Sequence, residues 1–232
     1  MLALLKQILK SARERGQTVD GAVFEIRPPK HEERDPRFLT WAEVEELGSW
    51  CSEGRLVVFA ALSGMREVEL FALRAESVDL EGGAVVVDSS AYKGLASRTK
   101  TRSGRRRVYL SSVAKQTLRE QLLARRPSPV DVVFPSPSGR IWQKDNFMAR
   151  VFRPAVRRAG LEGLTFHDLR HTCASLMIAA GANPLEVAAQ LGHKDARLVL
   201  HRYGHLYPGA SARAAQRLDA HYLGSCCGGG VG

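Results

Sequence analysis

Four stretches of the chain hold residues that could grip an anion or move a proton. In TFHDLRHTCASL, His167, Arg170 and His171 stand at i, i+3 and i+4, so on a helix they project from neighbouring faces. Histidines four apart, with an acid after the first, echo the zinc-binding H-E-x-x-H pattern. Against that, Arg170 would set a fixed cation beside the metal, and no carboxylate cluster offers a third ligand. A structural helix whose histidines bond local carbonyls is the plainer alternative. In LGHKDARLVLHRYGH, His193 follows a helix-ending Gly192, and Tyr203 lies near the end of the next helical pattern. A tyrosine there is ordinarily a half-buried packing residue. In LSGMREVELFALR, Arg66 follows Ser63-Gly64 at a helix start, where positive helix-end potential favours phosphate. Glu69, one turn on, can reach Arg66, which is otherwise an ordinary surface ion pair. Lastly, residues 93–107 hold seven basic residues and no acidic one: Lys93, Arg98, Lys100, Arg102, Arg105, Arg106 and Arg107. Charge runs are usually solvated. These sit on expected strands, and a narrow hairpin can lie in a DNA groove.

The elements that must place these residues are mostly helical. The spacing predicts helices over 41–50, 55–62, 66–74, 112–125, 143–159, 167–180, 184–191, 195–203 and 209–222. Thr40 and Glu43 form an expected capping box with Leu39 as a staple, and Asn183-Pro184 supplies N-cap and N1. One region breaks the period. GGAVVVDSS is a β-branched run after a Gly-Gly turn, and RTKTRSGRRRVYL reads as two strands joined through Ser103-Gly104. Together they predict a small antiparallel sheet over 84–110 inside a helical domain. Residues 1–15 read as an amphipathic helix stopped by Gly16, residues 16–35 as a linker with Pro28-Pro29, and GSCCGGGVG as a disordered tail.

The 232 residues include 44% hydrophobic residues and carry 34 Lys+Arg against 24 Asp+Glu, a formal charge of +10. That is enough apolar material for a real core and excludes a disordered chain. The charge points to a polyanionic partner, nucleic acid first. The longest apolar run, Leu56 to Leu62, falls far short of the ~20 residues that span a bilayer. Lys6 and Lys10 interrupt any signal-peptide core. Cys51, Cys173, Cys226 and Cys227 form no C-x-x-C pair, so the reading is a reduced, cytosolic chain without a disulfide framework or zinc cluster.

Each stretch is weak alone, but their order is specific. SGMREVEL, TKTRSGRRRVYL, HDLRH, LGH and a tyrosine ten residues later, read from about Arg37 to His221, resemble the tyrosine recombinase (phage integrase) family. The resemblance implies a mainly α fold with a small antiparallel β-sheet, an α+β catalytic domain. It also implies DNA strand cleavage and rejoining through a 3′-phosphotyrosyl intermediate, without metal or other cofactor. Carried over residue by residue, the catalytic set is Arg66, Lys100, His167, Arg170, His193 and Tyr203, with Tyr203 the nucleophile and Glu69 orienting Arg66. The two arginines would clamp the scissile phosphate with planar forks, and His193 would bond a nonbridging oxygen. His167 would assist proton transfer at Tyr203, whose ordinary pKa of ~10 calls for cationic neighbours or a base. Lys100 would protonate the departing 5′ oxygen, with Lys93 as its alternative. Lys93, Arg98, Arg102, Arg105, Arg106 and Arg107 would line the DNA.

Family members usually carry an N-terminal helical domain that completes a clamp around DNA. The expected division is therefore 1–35 as the last helix and linker of such a domain, 36–223 as the catalytic domain, and 224–232 as tail. One jaw short, the chain is expected to bind DNA weakly and with poor specificity. The alternative function is a noncatalytic DNA-binding remnant of a truncated integrase. The expected partners are double-stranded DNA, with no membrane, and further copies in a tetramer if the C-terminal helix docks on a neighbour; the simpler alternative is that Ala212, Ala215, Leu218 and Tyr222 pack that helix on its own chain. The expected setting is a bacterial or phage-encoded protein, cytoplasmic and associated with the nucleoid.

Overall fold

The structure, a computed structural model, describes residues 2–27, 34–98, 105–125, 127–207 and 209–226. Residues 1–35 and 36–232 form two compact units. In the first, α1 (Leu2–Glu14) is the expected amphipathic helix, and α2 (Ala22–Glu25) is a single turn inside the stretch read as linker. Asp20 Oδ1 accepts from Ala22 N at 2.9 Å to start that turn, and Lys6 Nζ donates to Phe24 O at 2.6 Å.

In the second unit, α3 (Trp41–Trp50) opens on the Thr40–Glu43 capping box, with both reciprocal bonds made. Next, α4 (Gly54–Ser63) is the central helix, packed against α3, α6 and α9. It buries Leu56, Val57, Phe59, Ala60 and Ala61, because apolar residues run round most of its circumference. After it come α5 (Glu67–Phe71), α6 (Ser112–Ala124), α7 (Lys144–Phe147) and α8 (Arg153–Arg158). Then follow α9 (Phe166–Ala179), α10 (Pro184–Leu191), α11 (Arg197–Tyr203) and α12 (Ala210–Cys226). The helix expected over 66–74 shrinks to the five residues of α5. The one expected over 143–159 is interrupted by a π-helical segment, Met148–Phe152. Pro154 explains the break: it has no N–H to donate, and its ring crowds the carbonyl four residues back. The last helix, α12, runs to Cys226, four residues beyond its expected end at 222.

Two small sheets replace the single one expected. Strands β1 (Val78–Asp79), β2 (Ala84–Val87) and β5 (Arg106–Tyr109) form a three-stranded sheet in the order β1-β2-β5. Strands β3 (Ser89–Tyr92) and β4 (Leu95–Arg98) form a separate hairpin. The strands on either side of Ser103-Gly104 therefore do not pair with each other. Their partners are set elsewhere: Val108 opposes Val85 over the core, while β3 and β4 close locally through Lys93-Gly94. Both turn residues have positive φ, +48° and +79°, as a two-residue I′ hairpin turn requires.

The main core is built from α3 to α9 and the sheet, with aromatic edges such as Phe71–Phe147 at 5.1 Å and Phe147–Phe166 at 5.6 Å. A second cluster of Ala174, Ile178, Val187, Ala188, Leu191, Val199 and Tyr203 fixes α9, α10 and α11 to one another. Tyr203 is thus a core residue of the element that carries it.

Candidate active site

Two glycines prepare the site. Helix α4 ends at Gly64 with φ +64°, and α10 ends at Gly192 with φ +70°. Each is a left-handed cap that a side chain would strain. The chain then turns to present Arg66 in one case and His193 in the other. Between them runs α9, opened by a second capping box, in which Thr165 N donates to Asp168 Oδ2 at 2.7 Å. That box consumes the acid of HDLRH in holding the helix start.

Arg170, only 4% exposed, joins the three elements. Its Nη1 donates to Gly64 O and its Nη2 to Leu191 O, each at 2.5 Å. A cation thereby meets carbonyls at the ends of two helices, where the backbone is electronegative. Burial, then the charges of Arg66 and Arg106, lower the Arg170 pKa to about 10, which leaves it charged at neutral pH.

Arg66 is the N-cap of α5, with its side chain 44% exposed. The helix-end potential expected to help it is small, because α5 is five residues long and begins with Glu67 and Glu69. Glu69 orients Arg66 as expected. Its Oε2 accepts from Arg66 N at 2.8 Å and its Oε1 from Arg66 Nη1 at 2.9 Å. The same carboxylate also takes both forks of Arg106, Nη1 to Oε1 at 2.9 Å and Nη2 to Oε2 at 2.8 Å. Burial works to raise the Glu69 pKa, but the bonds and charge of Arg106, then those of Arg66, hold it at about 2. Arg66, His167 and Arg170 line one cleft of about 450 Å³, with Lys144 and Arg153 on its wall.

Tyr203 is 1% exposed, and its hydroxyl lies 2.7 Å from Nδ1 of His171. Burial pushes the tyrosine up to about 12, only partly opposed by Arg170 and Arg202. Burial also depresses His171 to about 4, helped by the charges of His167 and Arg202. It is therefore His171, not His167, that touches the tyrosine oxygen. His167 stands at the open side of the cleft, its ring edge-to-face with His171 at 4.7 Å between centroids, and partial desolvation by the cleft, then the charge of Arg170, lowers its pKa. His193 is held down at about 4 by burial, then by Arg170, Arg66, Arg106 and Arg202. Its Nδ1 is buried without a hydrogen-bond partner among the described residues.

The hairpin residues fare differently. Lys100 and Arg102 lie outside the described residues, and for Arg98 only its backbone place in β4 is described. Lys93 sits exposed on the tight turn, its Nζ 5.6 Å from the Tyr92 ring centre. Arg105 and Arg107 are exposed, with Arg107 Nη2 3.1 Å from Asp79. Arg106 is not a DNA-facing cation: its side chain is 11% exposed and is spent on Glu69. Strand alternation carried that signal, since Arg106 and the core residue Val108 share one face. His171 was visible as the i+4 residue of His167, but no local pattern pairs it with position 203.

Known proteins resemble this chain in sequence and in fold. Residues 37–209 match the model of the phage integrase family. The integrase of Salmonella phage P22 is 27% identical over 229 residues, covering 94% of this chain and 56% of its own length. The shufflon-specific DNA recombinase of Escherichia coli is 31% identical over 214 residues, covering 88% and 50%. The chain spans about half the length of these curated relatives. Among solved structures, the Tn1549 transposon integrase in complex with circular intermediate DNA superimposes with a TM-score of 0.69. It is 19% identical and covers 94% of this chain and 86% of that one. The catalytic domain of bacteriophage HP1 integrase gives a TM-score of 0.53 at 24% identity, covering 78% and 95%. These structures share the fold.

Proposed function

The chain belongs to the phage integrase family, and on that premise we propose that it cleaves and rejoins DNA strands through a covalent bond to Tyr203. The observation that carries the reading is Arg170, whose two bonds tie the Arg66 turn and the His193 turn to the helix bearing His167 and His171. In this mechanism Arg66 and Arg170 neutralise the nonbridging oxygens, joined by hydrogen bonds from His167 and His193. The Tyr203 oxygen bonds to phosphorus as the bond to the 5′ oxygen breaks. Its proton passes to His171, neutral at pH 7, as Tyr203 leaves its packed position. Lys100 delivers a proton to the departing 5′ oxygen. The 3′-phosphotyrosyl link conserves the bond energy, so a 5′ hydroxyl from a second strand can reseal it.

Duplex DNA is the partner, in a bacterial cell or its phage, and recombination requires further copies on the same DNA. Helix α12 fits the role of joining copies, with Leu218 61% and Tyr222 63% exposed. Light scattering of the chain mixed with cleaved-site duplex measures this, and a strictly one-to-one complex overturns it.

The test of function is a nicked suicide substrate resolved on a denaturing gel. A protein–DNA adduct lost in Tyr203→Phe supports the reading. Absence of adduct on every sequence tried leaves DNA binding without catalysis. A substrate with sulfur at the 5′ bridging position tests Lys100: it restores Lys100→Ala and leaves Lys93→Ala unaffected. Rescue of Lys93→Ala alone reverses that choice.

A further inference from the structure

We infer that Arg106 is a positioning residue for strand cleavage, a buried guanidinium that couples the Arg66–Glu69 pair to the turn presenting His193. The inference rests on the strand-cleavage reading above.

Three contacts carry it. First, Arg106 grips both oxygens of Glu69 at 2.8–2.9 Å, and that carboxylate in turn holds the backbone and side chain of Arg66. Second, Arg106 Nε donates to Gln190 O at 3.4 Å, at the end of α10. Third, its side chain lies flat against Gly192: a Cβ there would stand 2.6 Å from Cδ and 2.7 Å from Nε of Arg106. One side chain on β5 thus touches what stands behind Arg66 and what stands behind His193.

The charges explain why this matters. Glu69 is 7% exposed and needs a cation. With Arg106 present, the carboxylate is satisfied from within, and the three groups together keep one positive charge. Without it, Arg66 alone must neutralise Glu69. The pair then becomes neutral, and Arg66 is drawn inward from the cleft. The transition state of phosphoryl transfer carries more negative charge than the ground-state diester, so the loss falls on the chemical step. A lysine keeps the charge but not the two-pronged grip on the carboxylate.

The test compares wild type, Arg106→Gln and Arg106→Lys, each first shown to melt cooperatively. In single-turnover cleavage at saturating DNA, Arg106→Gln is expected to slow adduct formation about 100-fold. Its DNA affinity stays within about threefold of wild type. Arg106→Lys falls between the two and stands in for the glutamine variant if that one does not fold. A substrate with a methylphosphonate at the scissile position is neutral in the ground state and carries one unit less negative charge in the transition state, so it asks less of Arg66. On it, the Arg106→Gln defect shrinks to within about threefold. An equal defect on both substrates, or one expressed only in DNA affinity, overturns the inference. Should wild type itself form no adduct, the strand-cleavage reading fails, and the coupling is decided on the free protein by NMR titration of His193. After burial, the charges of Arg170, Arg66, Arg106 and Arg202 oppose protonation of that ring. Arg106→Gln raises the His193 pKa, because one of the cations that oppose its protonation is removed. An unmoved His193 overturns the coupling.

Discussion

At the scale of single residues, the contact between His171 and Tyr203 should set the pH behaviour of the proposed cleavage. A tyrosine pushed up to about 12 is almost wholly protonated at pH 7, so free ionisation would make cleavage climb about tenfold per pH unit. A neutral imidazole at 2.7 Å removes that dependence, because it can take the proton during attack. Single-turnover cleavage by wild type is therefore expected to be level between about pH 6 and 9. It falls toward pH 4, where His171 and His193 protonate. In His171→Phe the level region becomes a slope of about one log unit per pH unit. A fast, level profile in that variant sinks the role given to His171. The same groups set stability. Both histidines have folded-state values near 4, below their ordinary 6.5, so the unfolded chain binds more protons across that interval. Stability is complete above 6.5 and declines as pH falls to 4. Glu69, lowered from 4.5 to about 2, extends the decline through that lower window. Urea midpoints measured against pH should show the upper limb reduced in His171→Phe.

At the scale of elements, the two left-handed caps are the least replaceable backbone positions of the site. A Cβ on Gly64 would stand 2.5 Å from Leu191 Cδ2 and 3.0 Å from the buried Cys173 sulfur, as well as meeting the strain of φ +64°. Gly181 has φ +92° with nothing within 4 Å, so it isolates the strain from the crowding. Gly181→Ala is expected to cost about 1–2 kcal/mol, and Gly64→Ala about 2–4 kcal/mol, measured by urea unfolding. Equal losses would mean that the packing round Gly64 yields freely. The Gly192 cap was legible beforehand, as were α3, α9 and α10, because helix-end glycines, capping boxes and 3.6-residue periodicity are local signals. The order HDLRH, LGH and Tyr203 was legible for the same reason, since each motif is short. Strand pairing was not. Which partner β5 takes depends on Val85 and Val87 some twenty residues away, and the Ser103-Gly104 turn signal competed with the Lys93-Gly94 turn that closes β3 on β4. Burial of Tyr203 beside His171 likewise depends on how α11 packs on α9, which spacing along one helix cannot express.

At the scale of the whole molecule, the cations behind the formal charge of +10 include some bonded inside the site and others exposed, which on the reading proposed above meet DNA. Arg106 and Arg170 belong to the first group, buried and bonded to protein. Lys93, Arg105 and Arg107 belong to the second, exposed on the β3–β4 turn and around the start of β5. The division has a measurable consequence, because each phosphate neutralised by a side chain releases condensed counterions and steepens the salt dependence by about 0.9 log units. Replacing Lys93, Arg105 and Arg107 together with alanine should therefore flatten the plot of log affinity against log salt by about 2–3. The lower value applies if Arg107 gives part of its charge to Asp79 at 3.1 Å. Arg106→Gln should leave that slope where it is, since a guanidinium spent on Glu69 displaces no ion from DNA. Fluorescence anisotropy on a labelled duplex across a salt series reads both. A slope lowered as much by Arg106→Gln as by one of the exposed alanines would return Arg106 to the DNA surface.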